Sequence, residues 1–499
     1  MSIYNEQRKH ISTFFSLHIE KNYQYLFKIF RSVEDEQEEM DVEDMDVDEQ
    51  YEDGEEISSK LWQKNMLAKK AKIDEHEIMR QVQADFGLGL LRETSNFEKE
   101  SKILSPISIS MALAMCHVGA RNDTADEIGK VIGGEASREE ILKYFSELMV
   151  EINKTDKPFT LDTANRIYVA DREDFELLEN FKNVLNQHYQ GAFQMIEFWN
   201  EENEGIAKKA AAEINTFVEK ATREKIKNLI DYQLFDKWTR MVLVNAVYFK
   251  GKWQYKFEER NTQSKKFYFS DGKEKEVPTM TLTKSLPYFE TEDAQILGLP
   301  YQSREIFMFI VLPTERNGLK GLIEKLDGNT LIQWIKNAHD FGAGKRDGPR
   351  GNGENSQFVI NKRQSECHKW DEHFGQRYVE LPRFKSEMKL QVVETLKTLG
   401  IHDAFVNTLP PIADFSGMAD PKKTPLYISQ VIHKAFIETN EEGTEAAAAT
   451  AVMMAQCCSG GFVEPPQVIL SFHADHPFLY VLANNKNDIL FVGTVSKFN

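Results

Sequence analysis

Cysteine is scarce in this chain of 499 residues, which contains four of them, at Cys116, Cys367, Cys457 and Cys458. They show neither the paired CxxC spacing of a zinc site nor the density of a disulfide-stabilised scaffold. Cys116 falls in an apolar helical pattern, where we expect a buried and unreactive thiol. The fold is therefore expected to depend on its hydrophobic core and not on cross-links.

Long hydrophobic runs are also missing. No stretch approaches the ~18 uninterrupted apolar residues that a transmembrane helix needs. Charges at Arg8, Lys9, Glu20 and Lys21 interrupt the first apolar pattern before it reaches the length of a secretory signal. We therefore expect no membrane association.

Catalytic signatures are the third absence. The chain has no GxSxG, HExxH or P-loop motif, and no GxGxxG follows a strand pattern. Dispersed triads and carboxylate pairs leave no local signature, so an enzyme stays open as the less favoured alternative. No motif indicates a metal ion or a cofactor.

Negative charge is concentrated in one place. Residues 34–56 hold 15 acidic residues and no basic ones, while the whole chain has a net charge of -18. Such a run repels itself and has little apolar surface to bury. We predict that residues 1–75 form a disordered extension. The remaining chain is nearly neutral and does not indicate a nucleic-acid partner.

A glycine-rich segment interrupts the later part of the chain. Residues 340–356 contain five glycines, and no periodicity follows as far as residue 374. We predict that residues 340–374 form a flexible surface insertion within a domain that covers residues 76–499. The few basic residues of this segment make a nucleic-acid contact the weaker interpretation.

Helical patterns come first and strand patterns dominate later, which predicts an α+β fold. A helical pattern runs from residue 207 to residue 230, and continuous apolar runs at residues 241–249 and 306–313 read as buried strands. Two more apolar runs flank residues 484–488 and predict a closing hairpin.

The tract at residues 440–466 carries the functional signal. Alanine content alone would favour a surface helix. If the tract is extended instead, every second side chain shares one face, and that face is uniformly small: Thr444, Ala446, Ala448 and Thr450. Such a strand could enter an existing sheet, because no side chain on its buried face demands a cavity.

At this tract the chain resembles the serpin family. EEGTEAAAATAV, preceded by VIHKAFIETN, is similar to the inhibitory hinge of that family, and five further motifs agree with it. They are LSPISISMALAMCHVGARNDTADEI, LVNAVYFKGKW, LPRFK, ADHPFLYVL and ILFVGTV. The resemblance spans residues 78–499, and together the motifs are far more specific than one short match.

The resemblance implies the serpin fold, with three β-sheets, eight or nine helices and an exposed reactive loop, here residues 441–466. It implies a single-use inhibitor of serine proteases, with papain-like cysteine proteases as a further class, and a monomer. The protease supplies the nucleophile, so the chain is not itself expected to be an enzyme. A binding or carrier protein of the same family is the alternative.

The resemblance also assigns roles to residues. Those of the hinge are Glu442, Gly443, Thr444, Glu445, Ala446, Ala447, Ala448, Ala449 and Thr450. Ser105, Ser108, Asn245 and His433 match a polar cluster, the shutter, under the opening of the sheet. Trp253 matches the tryptophan of the breach, where the hinge enters. Phe217 departs from the family pattern, which often has tryptophan there.

Family spacing from the hinge puts the cleaved bond between Cys457 and Cys458. The loop after Cys458 is longer than expected for the family, so cleavage after Met454, Gln456 or Phe462 stays open. A small thiol side chain suits elastase-like or chymotrypsin-like proteases better than trypsin-like ones. The family default for the compartment is the extracellular space, with cytoplasm or nucleus as the alternative.

Overall fold

The structure is a computed structural model that describes most of the chain from residue 76 to residue 498. The described residues are 76–154, 157–172, 175–201, 203, 205–342, 376–408, 410–420, 425–444 and 470–498. The predicted extension, most of the predicted insertion and residues 445–469 therefore lie outside the described residues.

Nine α-helices lie within the described ranges. In chain order they are α1 (Glu77–Glu93), α2 (Pro106–Gly119), α3 (Asn122–Gly133), α4 (Arg138–Ile152), α5 (Glu179–Tyr189), α6 (Gly205–Ala221), α7 (Leu319–Lys325), α8 (Gly328–Gly342) and α9 (Val393–Thr398). The local sequence explains where two of these helices begin. Pro106 opens α2, where a missing N–H costs nothing, and Ser137 and Glu140 form a reciprocal capping box at α4.

The described strands form three sheets. The main sheet has the order β11 (Phe384–Gln391), β12 (Ile428–Asn440), β13 (Gly443–Thr444), β4 (Met241–Lys252), β2 (Thr160–Ala170) and β3 (Phe193–Ile196). The second has β1 (Lys102–Leu104), β16 (Ile489–Val495), β15 (Phe478–Asn484), β9 (Ile306–Pro313), β8 (Ala294–Pro300) and β7 (Tyr288–Glu290). The third has β14 (Leu470–His473), β10 (Gln376–Pro382), β6 (Glu274–Ser285) and β5 (Gln263–Tyr268). The predicted α+β class with three sheets is confirmed.

The main sheet separates two apolar layers. Side chains alternate along β4, so that Leu243 belongs to the large core, whereas Val244 and Ala246 belong to a smaller cluster under α6. Ile214 of α6 and Ile432 of β12 are part of that same smaller cluster. Helix α6 therefore covers both β4 and β12 on this side of the sheet.

The predicted helix at residues 207–230 is wrong in its second half, because α6 ends at Ala221. Arg223 and Glu224 have positive φ angles of 50° and 60°, which stop helical hydrogen bonding. The Thr222 hydroxyl donates to the Val218 carbonyl and accepts from the Ile226 N–H, so it satisfies backbone groups at the helix end.

The first three residues of the predicted insertion, 340–342, belong to α8, which continues to Gly342. No proline or glycine interrupts residues 329–341, so the backbone hydrogen bonding of the helix continues up to the first glycine. The rest of the predicted insertion, from residue 343, lies outside the described residues.

Candidate functional site

Two residues of the alanine-rich tract already lie in the main sheet as β13, between β12 and β4. Gly443 pairs with Asn440 and Lys252, and Thr444 pairs with Thr439 and Gly251, all antiparallel. Both residues are buried. Residues 443 and 444 of the predicted loop 441–466 therefore lie inside the sheet, because their backbone groups find partners on both neighbouring strands.

Gly443 is required by the geometry of this entry point. Its φ angle is 148°, and a Cβ atom added there would lie 2.1 Å from the Gly251 carbonyl oxygen. Any side chain would therefore push β13 away from β4. The glycine at the start of the predicted hinge thus has a structural reason that the sequence does not show.

Thr444 is held by an aromatic pair. Its hydroxyl lies 2.6 Å from the Tyr301 hydroxyl oxygen, and Tyr301 stacks on Trp253 with ring centroids 4.4 Å apart. The Trp253 Nε1–H donates to the Asn440 carbonyl across 2.9 Å. Burial raises the pKa of Tyr301, so its hydroxyl stays protonated and can donate to Thr444. Trp253 therefore lies beside the start of β13, and its assignment to the breach stays a prediction.

A charged cluster surrounds the two residues before β13. The Arg383 Nη2 lies 2.6 Å from the Glu441 Oε1, and Thr262 donates to the same oxygen. Glu442 forms an ion pair with Lys256. Burial alone would raise the pKa of Glu441, but the hydrogen bonds from Arg383 and Thr262 outweigh burial and hold the pKa below its usual range.

Beyond β13, β12 and β4 pair directly with each other in parallel, from Ile428 with Met241 to Phe436 with Tyr248. We call this contact the seam. A strand that continued β13 would have to separate the seam, because both of its neighbours already satisfy each other's backbone groups there. The seam is therefore the part of the sheet that must open for insertion.

The four predicted shutter residues meet behind the seam, and all are buried. The Ser105 N–H donates to His433 Nε2 across 3.1 Å, and His433 Nδ1–H donates to the Asn245 side-chain oxygen. The Asn245 amide donates in turn to Ser108 Oγ. The structure brings these residues together, and their role in opening the sheet stays a prediction.

Asn165 on β2 completes this network, although sequence reasoning missed it. Its side-chain oxygen accepts from Ser108 Oγ across 2.8 Å and from the Asn245 amide across 2.5 Å. A polar residue among the apolar side chains of residues 164–170 was the available signal. The motif resemblance did not draw attention to this residue, because none of the quoted motifs includes β2.

His433 is neutral in this arrangement. A backbone N–H can only donate, so Nε2 must be the unprotonated ring nitrogen and Nδ1 must carry the hydrogen. Full burial lowers the pKa of His433 to about 3, because the imidazolium form would lose its hydration. The network therefore depends on an uncharged imidazole.

The segment that follows α6 lies on the same side of the main sheet as the helix. The Asn215 side chain of α6 bonds to this segment. The Asn215 amide donates to the Ile230 carbonyl across 2.9 Å, and its oxygen accepts from the Ile230 N–H across 2.8 Å. Ile230 belongs to the cluster that includes Ile432 of β12. Opening the seam would disturb this cover as well as the shutter.

The other predicted site residues lie outside the described residues. They are Glu445, Ala446, Ala447, Ala448, Ala449 and Thr450 of the hinge, and Cys457 and Cys458 of the reactive bond. Their assignment stays a prediction. Cys116 is buried, and burial raises the pKa of its thiol, as expected for an unreactive cysteine.

No group of three or more His, Cys, Asp or Glu side chains in the described part of the chain could hold a metal ion. None of the described helices combines the length and the apolar character needed to cross a bilayer.

Comparisons with known proteins agree with this architecture. The family described as Serpin (serine protease inhibitor) matches residues 81–343 and 349–498. Serpin B6 of Pongo abelii is 33% identical over 425 residues, which are 84% of this chain and 99% of the relative. Leukocyte elastase inhibitor of Equus caballus is 32% identical over 421 residues, covering 82% of this chain and 97% of the relative.

A solved structure has the same fold. Serpin48, a highly specific serpin of the insect Tenebrio molitor, is 29% identical to this chain, and its structure superposes on this one with a TM-score of 0.65. The match covers 86% of this chain and all of that structure. The similarity therefore extends over the whole described domain.

Proposed function

This chain belongs to the serpin family, and from that premise we propose that it inhibits a serine protease by inserting its cleaved reactive loop into the main sheet. The protease serine would attack the carbonyl carbon before the cut bond, forming an ester and releasing the amine of the next residue. Insertion of the freed tract would then carry the esterified protease away before water hydrolyses the ester.

The position of β13 is the observation that carries this proposal. Thr444 pairs with Gly251 and Thr439, and each further residue of an antiparallel strand advances one position back along both neighbours. Continued in step, Thr450 would therefore lie between Asn245 and His433, which are now bonded to each other. Gly443 and Thr444 already occupy the first two positions of the path that the inserted tract would follow.

Side-chain size supports the same route. Thr444 points into the large core, where its hydroxyl reaches Tyr301, so alternation would turn Ala446, Ala448 and Thr450 to that side as well. Small side chains can enter a packed core without requiring new volume. Insertion would also replace the single ladder of the seam by two ladders, one to β4 and one to β12, and each backbone hydrogen bond gained in this exchange is worth about 1 kcal/mol.

The target class remains the one predicted from the sequence. A cut after Cys457 favours a protease of the elastase or chymotrypsin type, and one relative is named leukocyte elastase inhibitor. Inhibition of papain-like cysteine proteases would follow the same chemistry, with a thioester in place of the ester. Both classes belong in the first assay.

The test is incubation of the protein with an elastase-type, a chymotrypsin-type and a papain-type protease. A covalent complex that survives boiling in SDS supports the proposal, and mass spectrometry of the released C-terminal fragment identifies the cut bond. A loop that is cleaved by every protease, with no complex at any ratio, would contradict it. The variant Thr444→Arg is the matched control, because it alters the inserting face alone.

The same samples test the alternative of a binding or carrier protein. An inhibitor should become much more resistant to heat after loop cleavage, because the inserted strand adds hydrogen bonds and buried surface. A carrier with no insertion should keep its melting temperature after cleavage. We favour inhibition because β13 has begun the pairing that insertion would extend.

For the compartment we favour the cytoplasm or nucleus over the extracellular space. The extracellular prediction rested on a family default, and the relatives of the serpin B6 type give it no support. Fractionation of cells and culture medium, followed by detection with an antibody to this chain, distinguishes the two compartments.

A further inference from the structure

A cavity of about 210 Å³ lies where helices α2, α4 and α5 meet. Its lining comes from the C-terminal half of α2 and the N-terminal halves of α4 and α5, together with Arg121 and Gly417 from the connecting segments. We call it the three-helix cavity. Ser105 and Ser108 of the shutter lie at the other end of α2. The cavity is therefore separate from the seam, and the proposed function gives it no role.

Two arginines lie side by side in the wall of this cavity. The Arg121 Nη1 group donates to the Val118 carbonyl across 3.2 Å and to the Ala120 carbonyl across 2.7 Å. The Arg138 Nη2 group donates to the same two carbonyls across 2.7 Å and 3.1 Å. Because both guanidinium groups reach the same acceptors, they are held close together at the C-terminal end of α2, where cations satisfy the last carbonyl groups of a helix.

The position of Arg121 is built into the fold. The Arg121 N–H donates to the Asp414 carbonyl across 2.9 Å, and the Gly417 N–H donates to the Gly119 carbonyl across 3.0 Å. A Cβ atom added to Gly417 would lie 2.4 Å from the Arg121 Cζ. The guanidinium group thus occupies space that only a glycine leaves open, and the cationic wall is a fixed feature of the domain.

Neither of the two arginines has a carboxylate partner within the described ranges, although both are partly buried. Among those residues Arg121 bonds through Nη1 alone and Arg138 through Nη2 alone. The Nε–H and one Nη group of each therefore keep donors that no described residue uses. Partly buried charges are usually paired with an opposite charge, so this pair of cations indicates a place for an anion.

No other charge completes or replaces this site. Burial and the neighbouring Arg138 lower the pKa of His117 to about 4, so its ring, which also lines the cavity, is neutral near pH 7. Both oxygens of the Asp414 carboxylate already accept hydrogen bonds from their own surroundings, and Glu139 at the mouth of the cavity is exposed. The cationic character of the wall thus comes from the two arginines.

The opposite wall is apolar. It is formed by Ala114, Val118, Ile141, Leu142, Phe181 and Val184. The volume equals that of about seven water molecules in the liquid and is smaller than the ~300 Å³ at which pockets for drug-sized ligands begin. Inorganic phosphate would turn unbonded oxygens towards the apolar wall. A small organic acid with an apolar body matches both walls.

We propose that the three-helix cavity binds a small monocarboxylate with an apolar body, whose carboxylate accepts hydrogen bonds from Arg121 and Arg138. A planar carboxylate matches the fork of a guanidinium group, and the body is buried against Phe181 and Val184. The bound acid joins α2, α4 and α5 and stabilises the folded domain by mass action. Capture of a protease plays no part in this binding, so the inference and the proposed function are tested independently.

Isothermal titration calorimetry of the full chain with phenylacetate tests the proposal, with phenylacetamide as the uncharged probe of the same shape. We expect phenylacetate to bind with a dissociation constant on the order of 1 mM or tighter. Phenylacetamide should bind about tenfold more weakly, because it forms no charge-assisted hydrogen bonds with the arginines. No binding of phenylacetate at about 10 mM, equal binding of acid and amide, or tighter binding of inorganic phosphate would each overturn the proposal.

Four variants locate the site. Val184→Phe fills the cavity without changing a charge, and Arg138→Met removes one cation; each should weaken phenylacetate binding about tenfold. Val184→Ala leaves the space open and should retain binding. Lys182→Met, also on α5, removes a cation that pairs with Glu179 across 2.6 Å outside the cavity and should retain binding as well.

The two weakening variants act by different routes, so the test does not depend on one of them. Arg138 also satisfies carbonyl groups of α2, and circular dichroism shows whether Arg138→Met is folded. If it is not, the comparison of Val184→Phe with Val184→Ala decides the location. Phenylacetate binding that is unchanged in Val184→Phe, or that is lost equally in Lys182→Met, would overturn the assignment to the three-helix cavity.

Discussion

His433 on β12 and Asn245 on β4 are paired across the seam, and the imidazole Nδ1–H donates to the Asn245 side-chain oxygen. The backbone register and the side-chain bond thus join the same two strands at the same level. Separation of the strands must break this bond and leave the His433 Nδ1–H and the Asn245 side-chain oxygen unpaired until another group replaces it, which costs roughly 1–3 kcal/mol for each group. The bond therefore opposes opening of the sheet.

Native stability should fall as the pH is lowered, because of His433. Its folded pKa of about 3 lies below an unfolded value of roughly 6.5, so the unfolded chain takes up the proton first. The stabilising contribution is complete above the unfolded pKa and is lost progressively towards the folded one. Between about pH 7.5 and about pH 5.5 the loss should be about 1.4 kcal/mol, measured by urea unfolding.

The control for this prediction is His433→Gln, which cannot titrate in that range. It should be less stable than wild type at neutral pH, because the network loses part of its geometry. The difference between the two proteins should shrink as the pH falls. A constant difference across the range would show that His433 does not titrate as its burial requires.

Thr444→Arg should convert the protein from an inhibitor into a substrate. The buried position beside Tyr301 cannot accept an unpaired charge, so β13 should leave the sheet while the remaining fold persists. The number of inhibitor molecules consumed per protease should rise about tenfold or more, because 1.4 kcal/mol already shifts a partition tenfold. Thr444→Ser keeps the hydroxyl and should retain capture.

Glu441 and Arg383 should show a measurable coupling. Arg383→Met, Glu441→Gln and the double variant form a cycle whose interaction free energy we expect to be about 1 kcal/mol. The value is modest because the Arg383 side chain is 38% exposed. Unfolding midpoints of the four proteins give the coupling, and additive effects would mean that the ion pair does not help to seat β13.

Thr450→Val should destabilise the cleaved, inserted form and leave the uncleaved protein unaffected. In the continued register its hydroxyl would lie between Asn245 and His433, where it could donate to one and accept from the other. Loss of the hydroxyl would leave buried groups unpaired at a cost of roughly 1–3 kcal/mol. Calorimetry of both forms measures this effect, and Thr450→Ser is the hydroxyl-retaining control.

Much of the fold follows from local patterns in the chain. The apolar runs at residues 241–249 and 306–313 predicted β4 and β9, and the closing pair around residues 484–488 formed the expected hairpin. Periodicity failed at the end of α6, where the helical pattern continued to residue 230. Thr222 and two residues of positive φ stop the helix there, and periodicity does not register either signal.

The candidate site was predictable only where a motif carries it. Trp253, His433 and Asn245 stand in recognisable motifs, whereas Asn165 stands in none of them and matters because of partners far away in sequence. Asn165 lies 80 residues from Asn245, with which it shares a hydrogen bond. Contacts over such separations depend on strand order and register, which local periodicity does not encode.

By itself the sequence determined the alternation of small residues after Gly443, the family resemblance and the α+β class, because each depends on residues that are close together in the chain. Only the tertiary structure decided that Gly443 and Thr444 are already seated between β12 and β4. The reason is physical: whether a strand can enter a sheet depends on the backbone groups that its two neighbours leave available, and those neighbours come from distant parts of the chain.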